Sequence, residues 1–408
     1  MKRQPLLEFD DALARLLAAA RPRDTADATE SVATMAADGR VAAEDVVSTI
    51  DVPRQDNTQM DGYALRVADW SPGRAFPVSQ RIAAGQVGEP LAQGTAARIF
   101  TGAPLPPGAD AVVMQEEAEL RAEANEVVFG RRPEPGEWIR RTGEDIREGA
   151  VVVARGKRLT PQACGLAASV GAASLRVHRR PRVACFFTGD ELAMPGEPLA
   201  PGAIYNSNRF VLTAMLARLG AEVRDLGIVG DTLEATRAAL REAAQEADLI
   251  VTSGGVSVGE EDHVKPAVEA EGQLDLWRIA MKPGRPLAYG TVGGRAHFIG
   301  LPGNPVSSFV TFVLMVRPFI LRLAGAVDIA PTRLPMVAGF DWPKPDARRE
   351  FLRVSVDPAS GRLNCFPNQG SAVLTSTVVC DGLVDNPGGQ AIAPGDVVRY
   401  LPFASLLN

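Results

Sequence analysis

A chain of 408 residues is longer than one ordinary core can organise, so two to four domains are expected. Its composition, 46% hydrophobic and 23% charged, is that of a soluble globular protein, and a net charge of −6 offers neither nucleic acid nor an anionic membrane any electrostatic attraction. The four cysteines (Cys164, Cys185, Cys365, Cys380) form no C-x-x-C pair, which excludes a zinc knuckle or thioredoxin-like motif and suggests a reducing, cytoplasmic compartment.

The opening MKRQPLLEFDDALARLLAAA has two basic residues and an apolar end. Glu8, Asp10, Asp11 and Arg15 break it up, so it predicts an amphipathic helix over 6–20 rather than a signal peptide. No apolar run reads as long enough to span a bilayer. A second helix is predicted over 25–38, with Thr25 and Asp27 as caps and Gly39 as its stop. From 50 to 145, short Val/Ile-rich runs separated by Gly and Pro predict a small β-rich domain. Residues 160–178 return to a helical pattern, opened by Thr160 and Pro161.

From 181 onward strands and helices alternate. Strands are predicted at 182–187, 222–229, 248–252, 274–280, 287–291 and 295–300, and helices at 206–219, 232–246, 263–271 and 305–323. Continuous apolar strands alternating with amphipathic helices predict a mostly parallel sheet covered on both faces. After Pro331 helices disappear, and segments at 333–340, 350–356, 362–367 and 396–401 predict a C-terminal β sandwich or barrel.

In an open α/β sheet, ligands collect beyond the carboxyl ends of the strands. The segments there are TGDE (188–191), Gly230-Asp231, SGGVSVGEED (253–262), MKPGRP (281–286) and LPGNP (301–305). Asn304 before Pro305 reads as a helix cap with free N–H groups behind it, suited to an anion. Lys282 and Arg285 add positive charge on a proline-stiffened turn. Glu191, Asp231 and Asp262 are hard oxygen donors from three loops, suited to sharing a magnesium ion with substrate phosphates. Asp231 reads equally as the cap of the following helix, and Glu260 and Glu261 read better as solvated neighbours. The opening half of SGGVSVGEED is neither a P-loop nor a dinucleotide fingerprint. The dispersed His178, His263 and His297 support no nucleophilic centre.

Taken together, DNTQMDGYA (56–64), IFTGAPLP (99–106), VVMQEE (112–117), RRTGEDI (140–146), TGDEL (188–192), SGGVSVGEED, MKPGRP and GLPGNPVS (300–307) resemble the molybdopterin molybdenumtransferase (MoeA) family, in its order and over nearly the whole chain. Arg285 stands where many relatives carry a second lysine. The resemblance implies a doubly wound, molybdopterin-binding αβα domain at 180–327, which the N-terminal helix can join. It also implies a β-rich domain at 50–145, a linking domain from 1–49 and 146–179, and a C-terminal β-barrel at 328–408.

It further implies an elongated homodimer that inserts molybdate into adenylylated molybdopterin with Mg²⁺-dependent release of AMP. Thr188, Ser253, Gly254, Gly255, Ser257, Gly259, Pro302 and Asn304 would hold pterin or phosphate, with Arg349, Arg353 and Ser371 as weaker C-terminal candidates. Lys282 and Arg285 would attract phosphate or molybdate; Glu191, Asp231 and Asp262 would hold the metal. Asp61, Thr101 and Asp145 would complete the site from the partner. Its neighbours would be a molybdopterin adenylyltransferase and recipient molybdoenzymes. A tungstate-inserting homologue and a non-catalytic molybdopterin-binding scaffold are the alternatives.

Overall fold

A six-stranded sheet organises the centre of the chain. The structure, a computed structural model, describes residues 6–22, 28–255 and 263–407. Strand order across this sheet is Glu222–Val229, Arg182–Thr188, Leu249–Ser253, Ala296–Leu301, Pro286–Val292, Gly272–Arg278. The first four are mutually parallel, and Pro286–Val292 alone is reversed, antiparallel to both of its neighbours. The expected mostly parallel sheet is therefore present. The carboxyl ends at Thr188, Val229, Ser253, Arg278 and Leu301 share one edge.

Side-chain alternation dictates the two covering layers. Val183, Cys185 and Phe187 face one core with the helix Ser207–Arg218 and the long helix Pro305–Leu323. Ala184 and Phe186 face the other, with Leu240 and Ala243 of Leu233–Ala244 and Ala267 and Val268 of Val264–Glu271. The LIVTS strand at the centre is wholly buried, as a β-branched run covered on both faces should be.

Pro305–Leu323 corrects one expectation. With 19 residues and a mean hydropathy of 1.7 it is as long and apolar as a membrane span, but 89% of that stretch is buried inside the fold, as a core helix is. It carries a π turn at Phe312–Val316, just before Pro318. Pro318 cannot donate to the carbonyl four residues back, and the wider turn accommodates the missing bond.

The first core also takes in Phe9, Ala12 and Leu16 of the N-terminal helix Phe9–Ala19, and Phe351, Leu383 and Leu401 of the C-terminal unit. That unit is a half-barrel whose strands run Met281–Lys282, Arg349–Val356, Gly382–Asn386, Val397–Pro402, Leu334–Val337, with a sixth, Leu363–Cys365, antiparallel to the end of Arg349–Val356. Its first strand is lent by the central unit: Met281 and Lys282 pair in parallel with Arg349 and Glu350. Gly382–Asn386 escaped the sequence reading because Gly382 and Asp385 break its apolar run. Single-turn helices at Ser376–Val379 and Phe403–Leu406 also stand where none was expected.

The described part of 25–38 forms no α-helix. Thr29–Ala33 is a strand, antiparallel to Ser174–His178, and the expected 160–178 helix stops at Ser169 to release that partner. Tertiary pairing overrides a weak helical pattern in both segments. These segments, with Val46–Val47 and Val151–Val153, enclose a small core around Ala42, Leu159, Leu175 and Val177. Between them the chain loops out into a third six-stranded sheet, Ala111–Met114, Gly62–Leu65, Ala96–Ile99, Ala75–Ile82, Glu126–Phe129, Ala118–Arg121.

Candidate functional site

A cleft of about 980 Å³ opens at the carboxyl edge of the central sheet, between it and the half-barrel. Each loop reaches it for a local reason. Gly254 and Gly255 both have positive φ, and a Cβ on Gly255 would meet Val264 Cγ2 at 2.5 Å, so the chain turns there only as glycine. Gly284, at φ +100°, lies so close to the core helix that a Cβ would meet Thr311 Oγ1 at 2.2 Å. Buried Ser253 ties the loops together: its Oγ donates to the Pro302 carbonyl (3.0 Å) and accepts from Asn208 Nδ2 (2.8 Å). Asn208 Nδ2 also donates to the Gly303 carbonyl at 2.7 Å. The Ser253 hydroxyl thus positions the cradle rather than offering itself to a ligand.

The cap expectations resolve differently from one another. Thr232, not Asp231, caps the helix Leu233–Ala244, accepting from the Ala235 N–H at 3.2 Å. Asp231 is left to accept from Thr188 Oγ1 at 3.0 Å. Asn304 stands at the cap position of Pro305–Thr311 without a side-chain cap bond; its amide donates to Ser371 Oγ (3.2 Å), and the Val306 N–H donates to the Ser371 carbonyl (2.9 Å). The first helical N–H groups are therefore partly used by the half-barrel, which corrects the expected free anion site.

Of the other predicted residues, Thr188, Glu191, Gly254, Gly255, Lys282, Arg285, Pro302, Asn304 and Ser371 line the cleft. Glu191 and Arg285 are exposed to it. Lys282 Nζ pairs with Glu350 at 3.2 Å and Asp346 at 3.6 Å. Ser257, Gly259 and Asp262 lie outside the described residues. Arg353 is buried behind the wall, donating to the carbonyls of Gly370 (3.0 Å) and Asn368 (3.4 Å) and so shaping the turn that presents Gln369 and Ser371. Burial pulls its guanidinium down to about 10, still charged at neutral pH. Arg349 does not line the cleft. It forks onto Asp385 (2.7 Å from Nη2), bonds Asp10 at 2.9 Å, and stacks 4.7 Å from the Phe9 ring, fastening the first helix to the half-barrel.

Sequence reasoning missed Asn206, Asn208, Arg348 and Gln369, all on the cleft wall. Asn206 is 2% exposed, its Oδ1 caps Ser207–Arg218, and its Nδ2 has no partner, leaving a buried donor at the cleft. The YNSN run (205–208) ahead of an amphipathic helix was the available signal. Arg348 holds Asp346 through two bonds of 2.8 and 2.7 Å, which keeps the Asp346 carboxyl far below the usual range, with Lys282 adding to the effect.

The β-rich unit gathers a second cluster. Asp61 accepts from both Thr101 N (2.8 Å) and Thr101 Oγ1 (2.7 Å), which lowers its pKa. Asp56 accepts from Thr142 N (2.8 Å) and Arg141 (2.6 Å). Backbone bonds link Thr58 to Ala103 and Gln59 to Trp138, so the three segments 56–64, 101–104 and 140–145 form one surface. Asp145 is exposed on its last turn. No residue of this cluster lines the cleft of its own chain among the described residues.

A molybdopterin molybdenumtransferase from Haemophilus influenzae is 40% identical over 387 residues, spanning 93% of this chain and 95% of the relative. Family models match in order: the MoeA N-terminal region (domain I and II) over residues 7–171, a probable molybdopterin binding domain over 184–322, and the MoeA C-terminal region (domain IV) over 335–403. The chain belongs to the MoeA family. Molybdopterin molybdenumtransferase 2 of Mycobacterium tuberculosis is 37% identical over 86% of this MoeA chain and 89% of its own. A crystal structure of a molybdopterin biosynthesis MoeA protein from Pyrococcus horikoshii superposes over 98% of this chain and 99% of that one, with a TM-score of 0.77 at 31% identity. Both clusters thus sit on a MoeA fold, one in the N-terminal region and one between the pterin-binding and C-terminal regions.

Proposed function

We propose that this MoeA chain is a molybdopterin molybdenumtransferase that inserts molybdate into adenylylated molybdopterin and releases AMP. The observation that carries this reading is the cleft, where glycine loops, an unpartnered Asn206 amide and the cations Lys282, Arg285 and Arg348 meet. Backbone N–H groups and Asn206 would orient the pterin, while Lys282 and Arg285 would attract the pyrophosphate or the molybdate. Ser253, Asn208 and Arg353 would hold the walls in register.

The donor set suits a hard cation: Glu191 is a carboxylate on the cleft wall, and Asp231 is a carboxylate fixed by Thr188. No group of three candidate metal-binding side chains occurs among the described residues, and the third expected donor, Asp262, lies outside them. Mg²⁺ held by these residues would neutralise charge on the scissile pyrophosphate. Thr188 would keep the Asp231 carboxylate oriented toward it.

Asp61, Thr101 and Asp145 would act on the cleft of a partner subunit in a homodimer, since their own cleft does not contain them. The setting is cytoplasmic, between a molybdopterin adenylyltransferase and recipient molybdoenzymes. Incubation with adenylylated molybdopterin, Mg²⁺ and either molybdate or tungstate, with AMP and cofactor quantified, tests the assignment. Oxyanion-dependent AMP release is expected. Binding of the nucleotide without AMP release would leave a scaffold, and faster turnover with tungstate would reassign the metal.

A further inference from the structure

The amino edge of the central sheet, opposite the cleft, carries a second hollow of about 450 Å³. It lies where the strands beginning at Arg182, Leu249 and Ala296 start. Arg21, Arg179, Arg180, Arg182 and Arg295 line it, against the carboxylates of Glu246 and Asp248. A neighbouring hollow of about 560 Å³, lined by Arg155 and Arg322, reaches the same His178. On a chain of net charge −6, such a concentration of cations in a concavity is opposite to the average surface.

Several of these guanidiniums are fixed in place without being neutralised. Arg295 donates to the Gln245 carbonyl at 2.6 Å, and Arg180 donates to the Gly220 carbonyl at 3.0 Å. Arg182, by contrast, is ion-paired with Glu222 at 3.4 Å. Among the described residues no carboxylate lies within ion-pair distance of Arg21 or Arg179, and Arg179 acts on Glu30 only from farther away. The backbone beneath them is pinned, with His178 N donating to Val41 and Arg179 N to Ala28. Each guanidinium carries five N–H donors, so most remain for a ligand with many oxygens.

We propose that this hollow is a second anion site, for the polyphosphate chain of a small molecule. Its size suits two or three phosphoryl groups rather than a macromolecule. The spread of arginines matches a chain of charges better than a single one, and inorganic tripolyphosphate and a nucleoside triphosphate share that chemistry.

Calorimetric titration of the full chain with tripolyphosphate, ATP, orthophosphate and hexaglutamate tests it. Tripolyphosphate is expected to bind at two places, in the other cleft and here, and the event at the amino edge is expected to weaken at least about tenfold in Arg21→Gln/Arg179→Gln, two exposed positions, while Arg285→Gln weakens only the event in the other cleft. ATP binding like tripolyphosphate would assign the phosphate chain alone, and tighter ATP binding would assign a nucleotide; either supports the site. Equal affinity in the double variant, loss only in Arg285→Gln, or orthophosphate or hexaglutamate binding as tightly as tripolyphosphate overturns it.

Discussion

Lys282 and Glu350 meet across the boundary between the pterin-binding unit and the half-barrel, Nζ to Oε1 at 3.2 Å, with the Glu350 side chain 1% exposed. The contact exists because the two-residue strand Met281–Lys282 joins the half-barrel in parallel register. Glu350 also accepts from Trp342 Nε1 at 2.8 Å, so one buried carboxylate serves a cleft lysine and a core indole.

Replacing Glu350 by Gln keeps an acceptor for Trp342 and removes the charge facing Lys282. A loss of about 1–2 kcal/mol is expected, less than for a fully buried pair because Lys282 is half in solvent. Urea denaturation of both proteins checks it; an unchanged midpoint would show that the pair contributes nothing.

Asp346 is held by Arg348, and its pKa is depressed. The sign follows from proton linkage: a carboxyl lowered in the folded state contributes stability that is complete above its unfolded value of about 3.9 and is lost as pH falls through the folded value. The stability gap between wild type and Asp346→Asn should stay constant from pH 8 to 5 and shrink only below about pH 4. A gap that closes between pH 7 and 5 would contradict this.

Asp231 and Thr232 are adjacent but are expected to fail in different ways. Thr232→Ala removes a helix cap and should cost about 1 kcal/mol, with the Mg²⁺ dependence of AMP release unchanged. Asp231→Ala leaves that cap intact, frees Thr188, and should abolish Mg²⁺-dependent release while thermal stability moves little. Magnesium titrations of AMP release, alongside melting curves, separate the two; the same defect in both variants would return Asp231 to a structural role.

If the Asp61 cluster serves the neighbouring subunit, inactive Asp61→Asn and Asp231→Ala chains should complement each other. Random mixing makes half the dimers mixed, each with one complete site, so roughly a quarter of wild-type activity should return. Confirmed subunit exchange with no recovered activity would confine Asp61 to its own chain.

The central sheet was legible because its signals were redundant: LIVTS is apolar and β-branched, and the neighbouring helices Ser207–Arg218 and Leu233–Ala244 open on the side-chain caps Asn206 and Thr232. The cleft loops were legible because each ends a strand at one edge. What escaped was set at long range. Thr29–Ala33 is a strand only because Ser174–His178 lies beside it, and Arg349 is taken up by Asp10, 339 residues away. Asn304 looked like a cap until Ser371 from the half-barrel took its side chain. Asn208, an unremarkable helix residue in sequence, joins Ser253 to Gly303 only once the sheet has formed.

The placement of the first helix has a consequence for how the protein is made. Phe9 and Leu16 are 3% and 0% exposed, and Phe9 packs on Phe351 with ring centroids 5.3 Å apart. This helix therefore keeps part of its apolar face uncovered until the strand Arg349–Val356, far downstream in the chain, has been synthesised. During that interval the nascent chain presents a sticky segment that only a chaperone, or delay in forming the helix, can shield.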